Sequence, residues 1–493
     1  MSAIVDANIT KFGKSEKNLL ELAADAARPV IGRHQSLFEG REAASRIRVV
    51  IANSYAAEFN GISGVHLQIA KAIGLEQLPS QLVNNISASG ATALHQADMI
   101  IKSGDADVVL VVGAEKMTHM PTKEITTAIS TLLFEEERAA GLTLPSLAGL
   151  MATACISEFG ISREDIANVA VQNRFNGSLN PNSYHFEKGV VTLEQVLESK
   201  MIVSPLRRFE FCPNADGAAA LLVTSNGIAR SFTDNPVFVR GIGLGADSAL
   251  ISSRKDLVSM PSVEQASSRA YALAGITPAQ ISIFEAHDMS TILQPMQMIA
   301  AGILNGGEAW TAASEGRTSI HGDIPVNTSG GLISCGHPIA VSGLKQAIEA
   351  YMQIRGEAGE RQVKNVQNVA FASLGGFANS VVFTVLSKDG DERQRIHPAF
   401  AQEISYSMNG SHNGSPFGSV IDKHACQLMA TVLSTTVSYA TAKDSPDVVR
   451  LVVAQMHSGK RVIARAAPEQ DVAPGDTVSI MRALDGVPEL LRG

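Results

Sequence analysis

Short apolar runs alternate with amphipathic helical patterns from the start of the chain to about residue 388. The runs that predict strands form two series: Arg48–Asn53, Leu82–Ser87, Val108–Ala114 and Ala218–Thr224, then Val237–Ile242, Ile281–Ala286, Val369–Ser373 and Val381–Leu386. Helical periodicity separates them, as in Ala91–Lys102 and Gly343–Ile354. Such alternation is typical of parallel sheets covered by helices. The pattern therefore predicts an α/β fold with two halves of similar topology.

A long segment, residues 119–213, separates two strands of the first series. It contains helical patterns at Pro145–Phe159 and Ser162–Asn173 and the polar stretch NGSLNPNSYHF. Insertions of this size usually cover a functional site. We therefore expect a first half at 1–230 that carries this insertion, and a second half at 231–388.

The pattern changes again at 388–397, where the polar stretch KDGDERQRIH predicts a linker. Beyond it, the runs ATVLSTTVSYA, VVRLVVAQM, KRVIARAA and DTVSIMRA are strand-like and are separated by the turn signals HSGK, APGD and LDG. We expect a separate small β-barrel domain at 400–493.

Composition narrows the class of protein. The 493 residues are 45% hydrophobic and 18% charged, with a net charge of −8, which argues against nucleic acid as a partner. The four cysteines are widely spaced without a CxxC pair, so neither a disulfide framework nor a zinc ribbon is expected. The histidines are scattered without the spacing of metal ligands, so no metal site is expected. No membrane-spanning run and no presequence are evident, which favours a cytoplasmic protein with no membrane partner.

The candidate chemistry lies where strands end or helices begin, which is where open α/β sheets place their sites. Ser87 lies at such a join in LVNNISASGATALHQADMIIKSG, where helix N–H groups and the helix dipole favour negative charge. His287 lies in FEAHDMS and His337 in the glycine-rich GGLISCGHPIAVSG. Ser373 lies in FASLGGFANS, where Gly375 and Gly376 permit close approach of a ligand.

Each of these residues also has a purely structural interpretation. Serine at a helix start is commonly an N-cap, so Ser87 need not be a nucleophile. His287 and Asp288 are expected to form a buried hydrogen-bonded pair if they have no catalytic role. Cys335, two residues before His337 in the sequence, is a candidate substitute nucleophile. A buried, inert cysteine is more usual.

Six stretches in order resemble the thiolase superfamily, in particular the sterol-carrier-protein type and its acetyl-CoA acetyltransferase relatives. They are NNISASGATAL, DADVVLVVGAEKM, NGSLNPN, NADGAAALLVTS, AHDMS and GGLISCGHPIAVSG. The resemblance covers residues 1–388 and implies a duplicated five-layer α-β-α-β-α core. Residues 400–493 are similar to the OB-fold domains that accompany some thiolases, here without a zinc-binding module.

The resemblance also assigns roles. Ser87 aligns with the family's nucleophilic cysteine, His337 with the histidine that activates it, and His287 with the histidine that holds the thioester oxygen. The second family cysteine, which removes an α-proton, aligns with Met289 in this subtype or with Ser373 in others, so both cysteine roles are vacant. The residues expected to line the substrate are Asn327, Met289, Gly336, Ser373, Gly375 and Gly376.

These features predict an acyltransferase that takes an acyl group from acyl-CoA onto Ser87, with His337 as the base and no bound cofactor. Two alternatives stay open: an inactive acyl-CoA-binding or complex-forming subunit, and an ordinary acetyl-CoA acetyltransferase that uses Cys335. The resemblance also implies a homodimer or larger oligomer, formed through the strand Val108–Ala114. The C-terminal domain is expected near the acyl-CoA entrance.

Overall fold

A computed structural model describes residues 1–39, 43–390, 428–438, 449–456, 459, 461–467, 470, 472–482 and 488–490. Most of the predicted linker at 388–397 and the beginning of the domain predicted at 400–493 lie outside these ranges. The domain limits inferred from composition stay predictions.

The strands follow the apolar runs closely. In chain order they are β1 (Ser2–Ile9), β2 (Ile47–Ala52), β3 (Ser80–Val83), β4 (Val108–Glu115), β5 (Met201–Val203), β6 (Leu206–Arg207), β7 (Gly217–Ser225), β8 (Val237–Ala246), β9 (Ile283–Glu285), β10 (Asn368–Gly375), β11 (Ser380–Ser387), β12 (Leu428–Ser438), β13 (Val449–Met456), β14 (Arg461–Ala466), β15 (Thr477–Arg482) and β16 (Pro488–Leu490). Pattern analysis missed β1, and the strand predicted at Leu82–Ser87 ends four residues early.

The helices fill the intervals between the strands. They are α1 (Leu19–Arg33), α2 (Gln35–Phe38), α3 (Ala43–Arg46), α4 (Ala56–Asn60), α5 (Val65–Ala72), α6 (Ser89–Ser103), α7 (Thr122–Ser130), α8 (Glu135–Ala139), α9 (Leu144–Phe159), α10 (Arg163–Ser178), α11 (Leu193–Glu198), α12 (Asn226–Ala229), α13 (Pro261–Ala274), α14 (Leu293–Ala300), α15 (Gly306–Thr311), α16 (Gly331–Cys335) and α17 (Ser342–Arg355). Across the described ranges, none of them combines the length and apolarity needed to cross a bilayer.

Nine strands form one sheet in the order β3-β2-β4-β7-β1-β8-β11-β10-β9. The sheet is mixed, whereas the strand–helix alternation predicted parallel sheets. β2 is parallel to β3 and β4, and β9 is parallel to β10, but β7 and β11 are antiparallel to their neighbours. The prediction was wrong for β10 and β11 because a short turn joins them, and a short turn permits only an antiparallel pair.

The two halves of the sheet repeat one topology. In the first half β2, β4, β7 and β1 are neighbours in that order, and in the second half β9, β10, β11 and β8 follow the same order with the same directions. The position of β3 is taken in the second half by an isolated parallel bridge between Phe284 and Val326. The fold is therefore duplicated, as the sequence predicted.

The helices form three layers around the two halves. α1 packs on strands of the first half and α13 on strands of the second, while α6 and α17 contact strands of both. Three apolar clusters correspond to these contacts, one outside each half and one between them. The strands of the two halves pair with each other where β1 meets β8, at Ala3–Phe238 and Ile4–Val237. The described core is thus the predicted five-layer α-β-α-β-α arrangement.

The two central helices cross at a glycine of each. A Cβ atom on Gly90 of α6 would lie 2.7 Å from the backbone nitrogen of Leu344, and one on Gly343 of α17 would collide with the backbone nitrogen of Ala91. Only glycine permits this approach. The crossing matters for function because Ser87 precedes α6 and His337 precedes α17.

The strand Val108–Ala114 does not lie at an edge. It falls within β4, which pairs with β2 on one side and β7 on the other and is buried along its length. The predicted oligomer contact through this strand is therefore wrong, because its backbone hydrogen bonds are already formed within the sheet. The strand at that edge is β3.

The described C-terminal strands close into a ring. β12, β13, β14, β16 and β15 are neighbours in that order, and β15 returns to β12. Apolar side chains that include Val432, Val452, Ala464 and Ile480 fill its centre. This confirms the prediction of a small β domain with its own core.

The ring packs on the insertion. β12 pairs with β5 at Val203, and the Ser434 hydroxyl donates to the Leu150 carbonyl of α9 at 2.6 Å. In β14, the Arg461 guanidinium donates to the Arg254 carbonyl. The β domain therefore contacts both the insertion and the second half.

Candidate active site

Ser87 lies in a tight turn between β3 and α6. Ile86 has a φ of +51°, a left-handed conformation that is unfavourable for a β-branched residue. Its carbonyl accepts hydrogen bonds from the hydroxyls of Ser54, at 2.7 Å, and Ser89, at 2.6 Å. These bonds hold the strained residue in place directly before Ser87. Backbone strain of this kind is concentrated at functional sites.

The Ser87 hydroxyl bonds to a histidine and does not cap the helix. Its Oγ lies 3.1 Å from Nε2 of His337, which is 250 residues further along the chain. The N-cap position of α6 is Ala88, and it makes no side-chain capping bond. The interpretation of Ser87 as an N-cap is therefore wrong.

His337 is held from both sides. Its backbone nitrogen donates to the Pro213 carbonyl at 3.0 Å, and its Nδ1 lies 2.7 Å from the hydroxyl of Ser342. When Nδ1 carries the proton and donates to Ser342, Nε2 is free to accept the proton of Ser87. Burial, reinforced by the Lys345 ammonium, lowers the pKa of His337 to about 3, so the imidazole is neutral at pH 7.

His287 lies against His337 with its ring nitrogens unpaired. The two ring centroids are 5.2 Å apart and the planes nearly perpendicular, at 84°. The Gln297 side chain fixes the backbone of His287: it accepts from the backbone nitrogen at 2.9 Å and donates to the backbone carbonyl at 3.0 Å. Neither ring nitrogen has a partner among the described residues, and the ring is fully buried. A buried orphan donor is unfavourable by roughly 1–3 kcal/mol, which a ligand oxygen would relieve.

Asp288 supports the adjoining loop and makes no bond to the His287 ring. Its carboxylate accepts from the backbone nitrogen of Leu332 at 2.6 Å and from the Asn173 amide at 2.7 Å. The expected His287–Asp288 pair is thus absent. Burial raises the pKa of Asp288 to about 7. The carboxyl instead holds the start of α16, the short helix that ends two residues before His337.

Two further predicted residues present buried polar atoms without partners. The hydroxyl of Ser373 and the side-chain oxygen of Asn327 are unpaired within the described part of the chain. Asn327 has a φ of +51°, and its amide nitrogen donates to Gln294 at 2.9 Å. Like His287, both residues are fully buried, whereas Ser87 and His337 keep 6% and 8% exposure. A ligand therefore meets Ser87 and His337 from the solvent side.

The other predicted substrate residues are Met289 and three glycines. Met289 is half-buried and packs on the apolar cluster of the second half. Gly336 has a φ of +87°, and a Cβ there would lie 2.7 Å from Ala215. A Cβ on Gly375 would lie 2.8 Å from the Asn85 carbonyl, and one on Gly376 would collide with the Asn379 side chain. Packing therefore requires Gly336 and Gly375, and a φ of +66° favours glycine at position 376. Gly375 lies against the turn that carries Ser87.

Cys335 points away from the constellation. Its thiol donates to the Ser329 carbonyl at 3.0 Å and accepts from the Asn180 amide at 3.6 Å. Burial raises its pKa to about 11, so the thiol is protonated at neutral pH. These contacts favour the structural interpretation of Cys335.

Two supporting groups were not found from the sequence. Lys345 forms a buried ion pair with Glu285 at 3.2 Å and donates to Ser329 at 2.7 Å. Its charge lowers the pKa of both site histidines. Ser342 was also missed, although its position five residues after His337, at a helix start, is a signal that the sequence contains.

Known protein families and relatives match this sequence. The sequence matches the family described as thiolase, N-terminal domain, over residues 2–227 and the family described as thiolase C-terminal domain-like over residues 243–388. It is 34% identical to the acetyl-CoA acetyltransferase of Methanothermobacter thermautotrophicus, over 78% of this chain and 99% of that one.

Two solved structures share the fold. A monomeric SCP2-thiolase like protein type 1 from Mycobacterium smegmatis aligns with a TM-score of 0.71 and 17% identity, over 100% of this chain and 99% of that one. The Ltp2-ChsH2(DUF35) aldolase aligns with a TM-score of 0.66 and 23% identity, over 78% and 97%. Because the family matches span most of the chain, this protein belongs to the thiolase superfamily.

Proposed function

We propose that the protein is an acyltransferase that accepts the acyl group of an acyl-CoA on Ser87. The observation that carries this proposal is the 3.1 Å contact between Ser87 Oγ and His337 Nε2, with the unpaired His287 ring packed against it. Membership of the thiolase superfamily supports acyl-CoA as the substrate class. A relative of 34% identity bears the name acetyl-CoA acetyltransferase.

The first step is attack of Ser87 on the thioester carbonyl. As the Oγ–carbon bond forms, the serine proton moves to Nε2 of His337. The tetrahedral intermediate then collapses with cleavage of the carbon–sulfur bond. The proton on His337 passes to the departing thiolate, which leaves acyl-Ser87 and free CoA.

The oxygen of the intermediate needs hydrogen-bond donors. The neutral ring of His287 supplies one, because it is buried and has no other partner among the described residues. A backbone N–H near Gly375 is proposed as the second. Removal of one such donor typically raises the barrier by about 3–4 kcal/mol.

Transfer to an acceptor completes the reaction. Neither Met289 nor Ser373 can take an α-proton at pH 7. We therefore propose an acceptor that loses its proton easily and needs no strong base from the protein. Carbon, amine and hydroxyl nucleophiles fit this description, and hydrolysis is the degenerate case. The described ring of β12–β16 is proposed to be an OB-fold-like domain close to the acyl-CoA entrance.

Intact-mass spectrometry after incubation with acetyl-CoA tests the proposal. We expect a covalent acetyl adduct that peptide mapping places on Ser87. Ser87→Ala should abolish it, and His337→Ala should slow its formation by about 10² to 10⁴-fold, since the general base is lost. The matched control is Ser103→Ala, which removes an exposed serine at the other end of α6 and should leave the adduct unchanged. An adduct that persists in Ser87→Ala contradicts the proposal.

A second candidate is an acyl-CoA-binding protein without turnover. The support for His337 is a neutral hydroxyl, Ser342, where serine hydrolases place a carboxylate. A pKa of about 3 makes this imidazole a weak base. Tight acyl-CoA binding by calorimetry with no adduct and no CoA release would favour this candidate. Cleavage of acetoacetyl-CoA that Cys335→Ala abolishes would instead favour an ordinary acetyl-CoA acetyltransferase.

A further inference from the structure

Cys212 lies in a short extended segment beside the loop that carries His287. Its backbone nitrogen donates to the carbonyl of Met289 at 3.1 Å, and the adjacent Phe211 and Ser290 form an isolated antiparallel bridge. Cys212 and Met289 are therefore opposite residues of a strand-like pair, and side chains in such a pair point to the same face with Cβ atoms about 4.5–5.5 Å apart. The proposed acyl transfer does not use this thiol.

The other edge of the same segment contacts the loop that carries His337. Asn214 and His337 form an isolated parallel bridge, in which the His337 nitrogen donates to the Pro213 carbonyl at 3.0 Å. Side chains alternate along an extended backbone, so Cys212 and Asn214 share one face with the imidazole of His337. Burial agrees with this alternation, because Cys212 and Asn214 are partly exposed, whereas Ala215 on the opposite face is fully buried. The thiol therefore faces the pocket of the candidate nucleophile.

A buried histidine in the same pocket is suited to a ligand oxygen. The His287 ring is fully buried against the His337 ring, with 5.2 Å between their centroids, and neither nitrogen of His287 is paired among the described residues. A hydrogen bond from this ring to a thioester oxygen would make the neighbouring C–H more acidic, because it stabilises the enolate that remains. Proton transfer at that carbon then needs an acid–base group beside it. The thioether of Met289 cannot serve, whereas the thiol opposite it can.

The surroundings keep this thiol protonated. Burial and then the negative charge of Asp288 raise the pKa of Cys212 above its ordinary value. The imidazoles of His287 and His337 are neutral at pH 7, so neither provides the positive charge that would favour a thiolate. A thiol in this environment is better suited to donate a proton to a carbanion than to act as a nucleophile.

We propose that the Cys212 thiol transfers a proton to and from the α-carbon of an acyl-CoA in this site. In the cleavage of a 3-oxoacyl-CoA, Ser87 attacks the 3-oxo carbon and its proton moves to His337. The C2–C3 bond then breaks, its electron pair remains on C2 as an enolate, and the S–H group of Cys212 donates its proton to C2. The proton held by His337 restores the thiol, so the products are acyl-Ser87 and acetyl-CoA. The acyl-serine in this sequence rests on the proposed function, whereas proton transfer at C2 does not require Ser87.

Exchange of the α-hydrogens of acetyl-CoA with D₂O, followed by mass spectrometry in the presence of the full chain, tests the proton transfer alone. In this exchange the Cys212 thiol loses its proton to solvent, the thiolate takes an α-proton, and a deuteron returns to the enolate. Cys212→Ser, which keeps the size of the side chain, should lower the exchange rate by about 10²-fold or more, because it removes the acid–base group. Cys155→Ala, which removes a buried cysteine of α9, is the matched control and should exchange as the wild type does.

Reversible modification of the wild type gives a second readout that does not depend on the folding of a variant. Methyl methanethiosulfonate at alkaline pH, where more of the thiol is ionised, converts Cys212 to a methyl disulfide and releases methanesulfinate. This should abolish exchange, and dithiothreitol should restore it; acetyl-CoA should slow the modification because it occupies the same pocket. Peptide mapping identifies the modified residue. Exchange that continues in Cys212→Ser or in the fully modified protein, or no exchange by the wild type above that of buffer, overturns the proposal.

The outcome is separable from that of the acyl-transfer proposal. Ser87→Ala should retain α-hydrogen exchange, because exchange needs no acyl-serine, and Cys212→Ser should retain the acetyl adduct on Ser87. Exchange without any adduct would overturn the proposed acyltransferase and leave the role of Cys212 intact. An adduct without exchange would overturn only the role of Cys212.

Discussion

Ser87 lies beside His337 at the position where the resemblance to thiolases predicts a cysteine thiolate. A serine is a poor nucleophile at neutral pH unless a base removes its proton. His337 is in contact, at 3.1 Å, but its environment keeps it neutral, and Lys345 opposes its protonation. We therefore expect Ser87 to be a nucleophile that is well oriented but only weakly activated by His337.

The depressed pKa of His337 predicts how stability depends on pH. In the folded protein its pKa is about 3, below the ordinary value of 6.5, so only the unfolded chain takes up this proton as the pH falls. The histidine leaves stability unchanged above pH 6.5 and lowers it progressively between pH 6.5 and 3. At pH 5 the loss is at most about 2 kcal/mol.

Urea unfolding at pH 7 and pH 5 measures this loss. His337→Gln should lose less stability on acidification than the wild type, because glutamine does not titrate. His321→Gln, which replaces an exposed histidine, serves as the control and should behave as the wild type does. Asp288, whose pKa is raised to about 7, has the opposite effect on the pH dependence of stability. Its contribution cancels because all three proteins contain it. Identical losses in His337→Gln and the wild type would contradict the prediction.

At the scale of elements, the site depends on the crossing of α6 and α17. Each helix begins within a few residues of a reacting side chain, and the close approach at Gly90 and Gly343 sets the distance between them. The left-handed Ile86 then orients Ser87 toward the imidazole.

Gly90→Ala should disrupt this crossing. The new Cβ would lie 2.7 Å from the Leu344 nitrogen and 2.8 Å from the Ala340 carbonyl oxygen, and backbone atoms cannot move as a side chain does. We expect unfolding free energy to fall by at least about 2 kcal/mol, as for overpacked cores, together with loss of the acyl adduct. Denaturant unfolding and intact-mass spectrometry measure both effects.

Gly227→Ala is the matched control for that substitution. It adds the same methyl group to α12, where no atom lies within 4 Å of the new Cβ. It should leave stability and adduct formation unchanged. A Gly90→Ala protein as stable as this control would show that the crossing tolerates a larger separation.

At the scale of the whole molecule, the β domain is connected to the turn beside Ser87. Arg461 of β14 donates to the carbonyl of Arg254, and the Arg254 guanidinium donates to the Phe377 carbonyl at 2.6 Å. Phe377 follows Gly375 and Gly376 in the turn between β10 and β11. The adjacent Ser380 hydroxyl accepts from the Asn85 amide at 3.0 Å, two residues before Ser87.

This connection predicts that the β domain steadies the turn. Arg461→Ala should increase the hydrogen-exchange rate of residues 376–379, measured by mass spectrometry on the full chain, because Arg254 loses its support. We expect an increase of about threefold to tenfold, the effect of one hydrogen bond. Arg269→Ala, which removes an exposed arginine of α13, should leave exchange in the turn unchanged. Unaltered exchange in Arg461→Ala would show that the contact of the β domain with Arg254 does not stabilise the turn.

Much of the fold was predictable because burial imposes a period on the sequence. Val108–Ala114 and Val369–Ser373 are continuous apolar runs that only buried strands explain, and both are strands. Whether neighbouring strands are parallel or antiparallel was not predictable in the same way, because an apolar run does not indicate the strand with which it pairs. β1 was missed because SAIVDANI mixes polar and apolar residues, although it lies at the centre of the sheet.

The sequence by itself determined the duplicated α/β core, the small β domain and the candidate residues Ser87, His287 and His337, because periodicity and motif order are local properties of the chain. Only the tertiary structure decided that Ser87 contacts His337, that Ser342 supports it and that Cys212 lies opposite Met289. Those relationships join positions up to 250 residues apart, and they exist only once the central helices cross and the insertion packs on the loop before α17. Distances, burial and unpaired polar groups are properties of packing, which the order of residues does not state.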